Sequence, residues 1–126
     1  MITLICGLPR AGKTTYSECY KDTAKIYHLD EYGGPVGGYV RLHKRMKPSE
    51  NIVVEGVYAR SLERKTLIAP FKDDKKVCIW LNTPKEIKKT RRGYIEKYCE
   101  YPFEPPTYDE GWDEIIIIGG DNNGNI

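Results

Sequence analysis

Residues 7–14, Gly-Leu-Pro-Arg-Ala-Gly-Lys-Thr, constrain this chain more than any other stretch. They fill every fixed position of the pattern G-x-x-x-x-G-K-S/T, between an apolar run at residues 2–6 and a stretch of helical spacing, the context that the pattern requires. Glycines allow the backbone to curl until successive N–H groups point inward, and a helix starting near Lys13 aims its positive end at the same point. The loop reads as a phosphate cradle made of Gly7, Pro9, Arg10, Ala11, Gly12, Lys13, Thr14 and Thr15. Lys13 is expected to reach the β- and γ-phosphates of a bound nucleotide, Thr14 to hold Mg2+ through its hydroxyl, and Thr15 to add an α-phosphate contact. A plain glycine turn leading into a helix is the competing reading.

The chain has 126 residues, enough for one core and too few for a second, so residues 1–120 are read as a single domain. With 40% hydrophobic and 30% charged residues it belongs with globular rather than disordered chains. The polar stretch 121–126 is expected to be a disordered tail. The longest apolar run, residues 115–118, is far short of a membrane span, and the N-terminus carries no signal-peptide pattern, so a cytoplasmic protein is expected. Cys6, Cys19, Cys78 and Cys99 show no metal or disulfide spacing, and Cys6 and Cys78 read as small core residues within strands. His28 and His43 are read as structural or surface residues. Basic residues gather at 41–47 and 85–92 and acidic ones near the end, an asymmetry that suggests anionic ligands against one face.

Apolar spacing predicts a helix over 13–23, a short strand over 25–29 that ends at Asp30, and a glycine-rich loop over 33–38. That loop is either a surface connector or a lid. A helix follows over 39–46, closed by Pro48, then a third strand over 51–56 that contains Glu55. Ser61 is expected to cap a helix over 61–68, and residues 76–81 form a fourth strand covered on both faces. Thr83 as cap and Pro84 at the first position predict a long helix running toward residue 98, with Arg91 and Arg92 in its middle. Adjacent helical positions point about 100° apart, so only one of the two arginines is expected to reach a site. Residues 114–118 form strand five, and Gly119 and Gly120 after it are placed with the nucleotide-binding set. Alternating strands and helices imply an α/β domain with a mainly parallel sheet. Ligands then bind at the carboxyl ends of the strands, where Asp30 and Glu55 face the same crevice as the phosphate loop. Glu55 stands where a phosphate-loop enzyme places an acid to hold Mg2+ or its waters.

Together, the loop with Thr15, Asp30, the segment 53–56, the strand and lid at 81–92, and the stretch 102–114 containing Glu110-Gly111-Trp112-Asp113-Glu114 resemble the kinase domain of polynucleotide 5′-hydroxyl kinases and their small phage and bacterial relatives. The resemblance implies a P-loop NTPase fold, a three-layer αβα sandwich with five strands in the adenylate-kinase-like order 2-3-1-4-5. It also implies that Asp30 acts as general base toward an acceptor hydroxyl, with ATP and Mg2+ as donor and metal. Where that family places an arginine three residues after the base, this chain has Gly33, and Arg60 or Arg64 is the candidate replacement.

Phosphoryl transfer asks for an in-line hydroxyl, a base beside it and positive charge around the migrating group, roles that Asp30, Lys13 and Arg91 or Arg92 fill. Alternatively, Asp30 caps the following turn. Three functional readings follow. The first is a kinase acting on a nucleic-acid 5′ end or nucleotide-like acceptor, the second a kinase of a small metabolite or antibiotic, and the third an ATP-binding module that transfers nothing. A GTPase is disfavoured by the lack of an Asn-Lys-x-Asp motif.

Overall fold

The computed structural model describes residues 1–34 and 37–119. Five parallel strands, β1 (Ile2–Cys6), β2 (Lys25–His28), β3 (Ile52–Gly56), β4 (Lys76–Asn82) and β5 (Glu114–Gly119), lie in the order β2-β3-β1-β4-β5. β1 is central, with Ile2 opposite Ile52 of β3 on one side and Lys76 of β4 on the other. All five residues of β1 and of β3 are buried. Both strands are mostly apolar, Thr3 and Glu55 being their polar exceptions, as suits a parallel sheet covered by helices on both faces.

Alternation along β1 divides the core in two. Ile2, Leu4 and Cys6 point to a large cluster that includes Val54, Leu42, Leu67, Phe71 and Trp112, whereas Ile5 joins Val53, Ile79, Leu81 and Ala11 on the other face. The first cluster lies under α2 (Gly38–His43) and α3 (Ser61–Ile68), and the second under α1 (Lys13–Ser17) and the 3-10 turn Glu18–Tyr20. The Cys6 and Cys78 sulfurs meet at 3.8 Å inside the first cluster, and all four cysteines are free thiols. Among the described residues no helix is long and apolar enough to cross a membrane.

Several helices are shorter than their apolar spacing predicts. The first ends at Ser17, whose hydroxyl bonds back to Thr14 O at 2.7 Å, and the β-branched and aromatic sequence there lowers helix propensity. α2 stops at His43. The helix expected to run through residue 98 breaks into α4 (Lys85–Lys88) and α5 (Glu96–Cys99). Between them Thr90 bonds back to Ile87 O at 2.7 Å and Gly93 takes φ +82°, a left-handed turn that folds the second piece back on the first. Ion pairs Lys85–Glu96 (2.9 Å) and Lys88–Glu100 (2.7 Å) fasten the two pieces. Neither expected cap forms. Thr83 donates instead to Ala11 O at 2.7 Å, and Arg60 is the N-cap of α3, with Glu63 accepting its N–H at 3.2 Å.

Arg64 lies on no ligand-facing surface. Its side chain is fully buried, with two bonds of 2.8 Å to the Glu110 carboxylate, one of 2.7 Å to Tyr58 O, and the Phe103 ring 5.6 Å away. Trp112 Nε1 completes the carboxylate shell at 2.9 Å from Glu110. The segment 110–112 is therefore a core fastener that joins α3 to the approach of β5. Arg60 is likewise turned away from a ligand role, held by Glu63 at 2.9 Å on the exposed side of α3.

Burial opposes ionisation of Glu110, but hydrogen bonds from Arg64, Trp112 and Ser61 prevail and hold its carboxyl below the ordinary range. A depressed folded-state pKa contributes stability that is present above the unfolded value and is lost as pH falls through the folded one. Glu110→Gln leaves a buried guanidinium without its counter-charge and is expected to cost about 3–5 kcal/mol in urea unfolding at pH 7. The variant should also lose part of the acid-side fall in stability that the parent shows below pH ~4.5.

Candidate functional site

A crevice of about 940 Å3 opens along the carboxyl ends of the strands. Its floor is the loop after β1, where two glycines carry the geometry. Gly7 (φ +156°) passes so close to β4 that a Cβ there would stand 2.7 Å from Leu81 O. Gly12 (φ +102°) precedes α1 in the left-handed region. Arg10, with φ +70°, adopts the same region despite its side chain, a strained position of the kind found where a loop is shaped for a ligand. Pro9, Arg10, Ala11, Gly12, Lys13, Thr14 and Thr15 all line the crevice.

Lys13 is only 8% exposed, and its ammonium bends back to donate to Leu8 O at 2.9 Å. Burial pulls its pKa down, while the carboxylates of Glu55 and Asp30 pull it part of the way back. Glu55, at the end of β3 and itself buried, receives the Thr14 hydroxyl at 3.5 Å on one oxygen and His28 Nδ1 at 2.9 Å on the other. Asp30 sits in the 3-10 turn Leu29–Tyr32 just past β2, exposed at the crevice wall. Its carboxylate makes no hydrogen bond among the described residues, so it does not act as a cap for the turn that follows.

The two arginines of the lid segment stand in a turn and not in a helix, so the helical offset expected between them does not apply. Arg91 lines the crevice and donates Nη1 to Arg10 O at 2.6 Å, and the Arg10 guanidinium in turn packs across Gly93. Arg92 is exposed and does not line the crevice. Gly119 is not a lining residue either. It pairs with Asn82 at the end of β5, where a Cβ would stand 2.9 Å from Asn82 O. Gly120 and the tail 121–126 lie outside the described residues.

Four contributors escape a reading of the sequence. His28 is read there as structural or surface, yet it holds the Glu55 carboxylate. The signal is available in principle, since His28 and Glu55 are register partners once strands two and three are laid side by side. Thr83 ties the β4 end to the phosphate loop, and Tyr98 and Tyr101 line the crevice.

No family model matches the chain, and no curated protein matches it in sequence. Solved structures do match in shape. A sugar kinase from Janibacter sp. HTCC2649, unliganded, superposes with TM-score 0.63 at 12% identity, over 94% of this chain and 84% of that one. The two share a fold. A gluconokinase from Sinorhizobium meliloti 1021 gives 0.64 at 12% identity over 96% and 83%, and Kti12 from Chaetomium thermophilum in complex with ADP-AlF3 gives 0.62 at 14% over 98% and 91%. At such identities the likeness concerns architecture, a five-stranded parallel sheet of order 2-3-1-4-5 with helices on both faces.

The close pass of Gly7 beneath Leu81 O yields a specific expectation. Gly7→Ala forces the loop off β4 and should lower thermal stability by about 1–3 kcal/mol. Calorimetric titration with ATP should show weaker binding in parallel, because the displaced N–H groups no longer converge on one point.

Proposed function

We propose that this chain is an ATP-dependent phosphotransferase that moves the γ-phosphate to a hydroxyl. The observation that carries this reading is the convergence, in one crevice, of a phosphate loop with a buried lysine and, just past β2 on the far side of β3, the exposed Asp30 carboxylate, which makes no hydrogen bond among the described residues. A nucleotide-binding module needs the first and has no use for the second.

Within this reading the loop N–H groups and Lys13 bind the donor's phosphates, and Arg91, anchored on Arg10 O, brings a further positive charge over them. Asp30 accepts the proton of the acceptor hydroxyl as its oxygen bonds to phosphorus and the bond to the departing ADP breaks. The donor set around Thr14 fits Mg2+, which binds through one or two oxygen side chains together with substrate phosphates rather than in a protein cage. The Thr14 hydroxyl and the Glu55 carboxylate would hold it, and bound there it would neutralise charge on the β- and γ-oxygens. His28 keeps the Glu55 carboxylate aimed at that point, as outer partners of metal-binding carboxylates do.

Two acceptors suit this layout, a nucleic-acid 5′ end, as the resemblance to polynucleotide kinases implies, and a small hydroxyl-bearing molecule. The second is favoured by Gly33, which stands in the left-handed region with the Arg41 guanidinium packed where a side chain would begin. Two of the similar structures, described as a sugar kinase and a gluconokinase, lean the same way.

Asp30→Asn is the direct test. It should reduce transfer of labelled γ-phosphate to an acceptor by about 100-fold or more, the scale of general-base catalysis, while ATP affinity stays within about twofold. Transfer at the parent rate would remove Asp30 from the mechanism.

A further inference from the structure

The crevice is electrostatically lopsided. Among the described residues that line it, the cations are Arg10, Lys13 and Arg91, and all three stand at or over the phosphate loop. Toward β2 and β3 the wall is different. The strand ends bring Asp30, Glu55, Gly56 and Val57 to it, and Tyr98 and Tyr101 line the same cavity. Asp30 and Glu55 face this half, and the cation that feels both is Lys13, which the phosphotransferase reading commits to the donor's phosphates; among the described residues no other lining side chain there brings a counter-charge. Arg41 packs across Gly33 and Gly37, donates Nε to Tyr32 O at 2.7 Å, and is not one of the lining residues. With Lys13 engaged by the donor, a phosphate entering on this side would meet the Asp30 carboxylate with no further lining cation among the described residues to offset the repulsion.

What this half offers instead is ring surface. Tyr98 on α5 is 61% exposed, with Lys97 Nζ 5.1 Å from its ring centre, and Tyr101 just after it is 38% exposed, so both rings present surface to the cavity. Tyr101 reaches the β3 side because the chain after α5 crosses over it. Glu104 N–H donates to Ala59 O at 2.8 Å, and the Glu104 carboxylate accepts from Ser61 N–H at 2.9 Å. Aromatic faces bind other rings with little regard to their edge chemistry, through stacking that needs no charge on the ligand.

We infer that the acceptor is an uncharged, ring-bearing alcohol, its ring laid on Tyr101 and Tyr98 and its hydroxyl at Asp30, and not a phosphorylated nucleotide or a polynucleotide end. This inference rests on the phosphotransferase reading, which places the acceptor opposite the loop.

Matched probes that differ in charge test it. With the donor site of the full chain filled by a non-hydrolysable ATP analogue, calorimetry would compare thymidine with thymidine 3′-phosphate, and phenyl glucoside with glucose 1-phosphate. A 5′-hydroxyl oligothymidylate would be titrated alongside. The uncharged member of at least one pair should bind about tenfold or more tighter than its charged partner, with affinity unchanged between about 50 and 200 mM salt. Tyr101→Leu should weaken that binding by about 5- to 150-fold, the range of aromatic stacking, and Tyr101→Phe should restore it. Equal melting temperature and ATP affinity in the two variants would exclude misfolding. Tighter binding of the charged members or of the oligonucleotide, or binding of neither member of either pair, would overturn the inference. Failure of the underlying reading looks different, since the uncharged alcohols would then bind in a Tyr101-dependent way while labelled γ-phosphate from ATP never reached them.

Discussion

A buried ammonium group organises this molecule. Taking Lys13 out of water is costly, and the chain meets that cost locally with one carbonyl, Leu8 O, and two carboxylates, Glu55 and Asp30, contributed by the ends of neighbouring strands. Those partners leave the cation poorly hydrated and incompletely neutralised, a state that a triphosphate relieves. The parallel sheet makes this possible. With β1 in the middle, the loop that follows it emerges between β3, which brings Glu55, and β4, whose Leu81 carbonyl presses against Gly7.

Around that centre the parts are tied to one another rather than to solvent. Thr83 holds Ala11, Arg91 holds Arg10, and Arg10 covers Gly93, so the strand-four end, the phosphate loop and the lid turn form one connected rim. Lys88, almost fully buried, fastens the lid's second helix through Cys99 O and Glu100. Behind the rim, the Arg64–Glu110–Trp112 network locks the approach to β5 against α3. In the proposed reading a nucleotide on the loop would bear on the lid segment through these directly bonded residues, and the left-handed Arg10 is held by Arg91 and Gly93 of that segment.

Much of this was legible in the residues alone. The phosphate loop has a pattern with a physical reason at each position, and apolar strands alternating with helical stretches leave few topologies, so a mainly parallel sheet with a crevice at the strand ends followed, while the strand order came from the resemblance to polynucleotide kinases. Asp30 and Glu55 were visible because strand ends are visible. What the sequence hid were interactions between side chains remote along the chain. Arg64 looked like a ligand-facing arginine because its partner Glu110 lies 46 residues away, and the long lid helix looked continuous because apolar spacing does not reveal that Thr90 back-bonds and Gly93 turns left-handed. His28 was hidden for the same reason, its role depending on a strand register.

The central claim is that Lys13 is held ready for the phosphates of a nucleoside triphosphate. Equilibrium titration of the parent chain and of Lys13→Ala with ATP in the presence of Mg2+ tests it most directly. Loss of hydrogen bonds from a charged group should weaken binding by about ten- to a hundredfold while circular dichroism remains unchanged. If Lys13→Ala, still folded, bound ATP as tightly as the parent, the account of the crevice as a phosphate site would be contradicted.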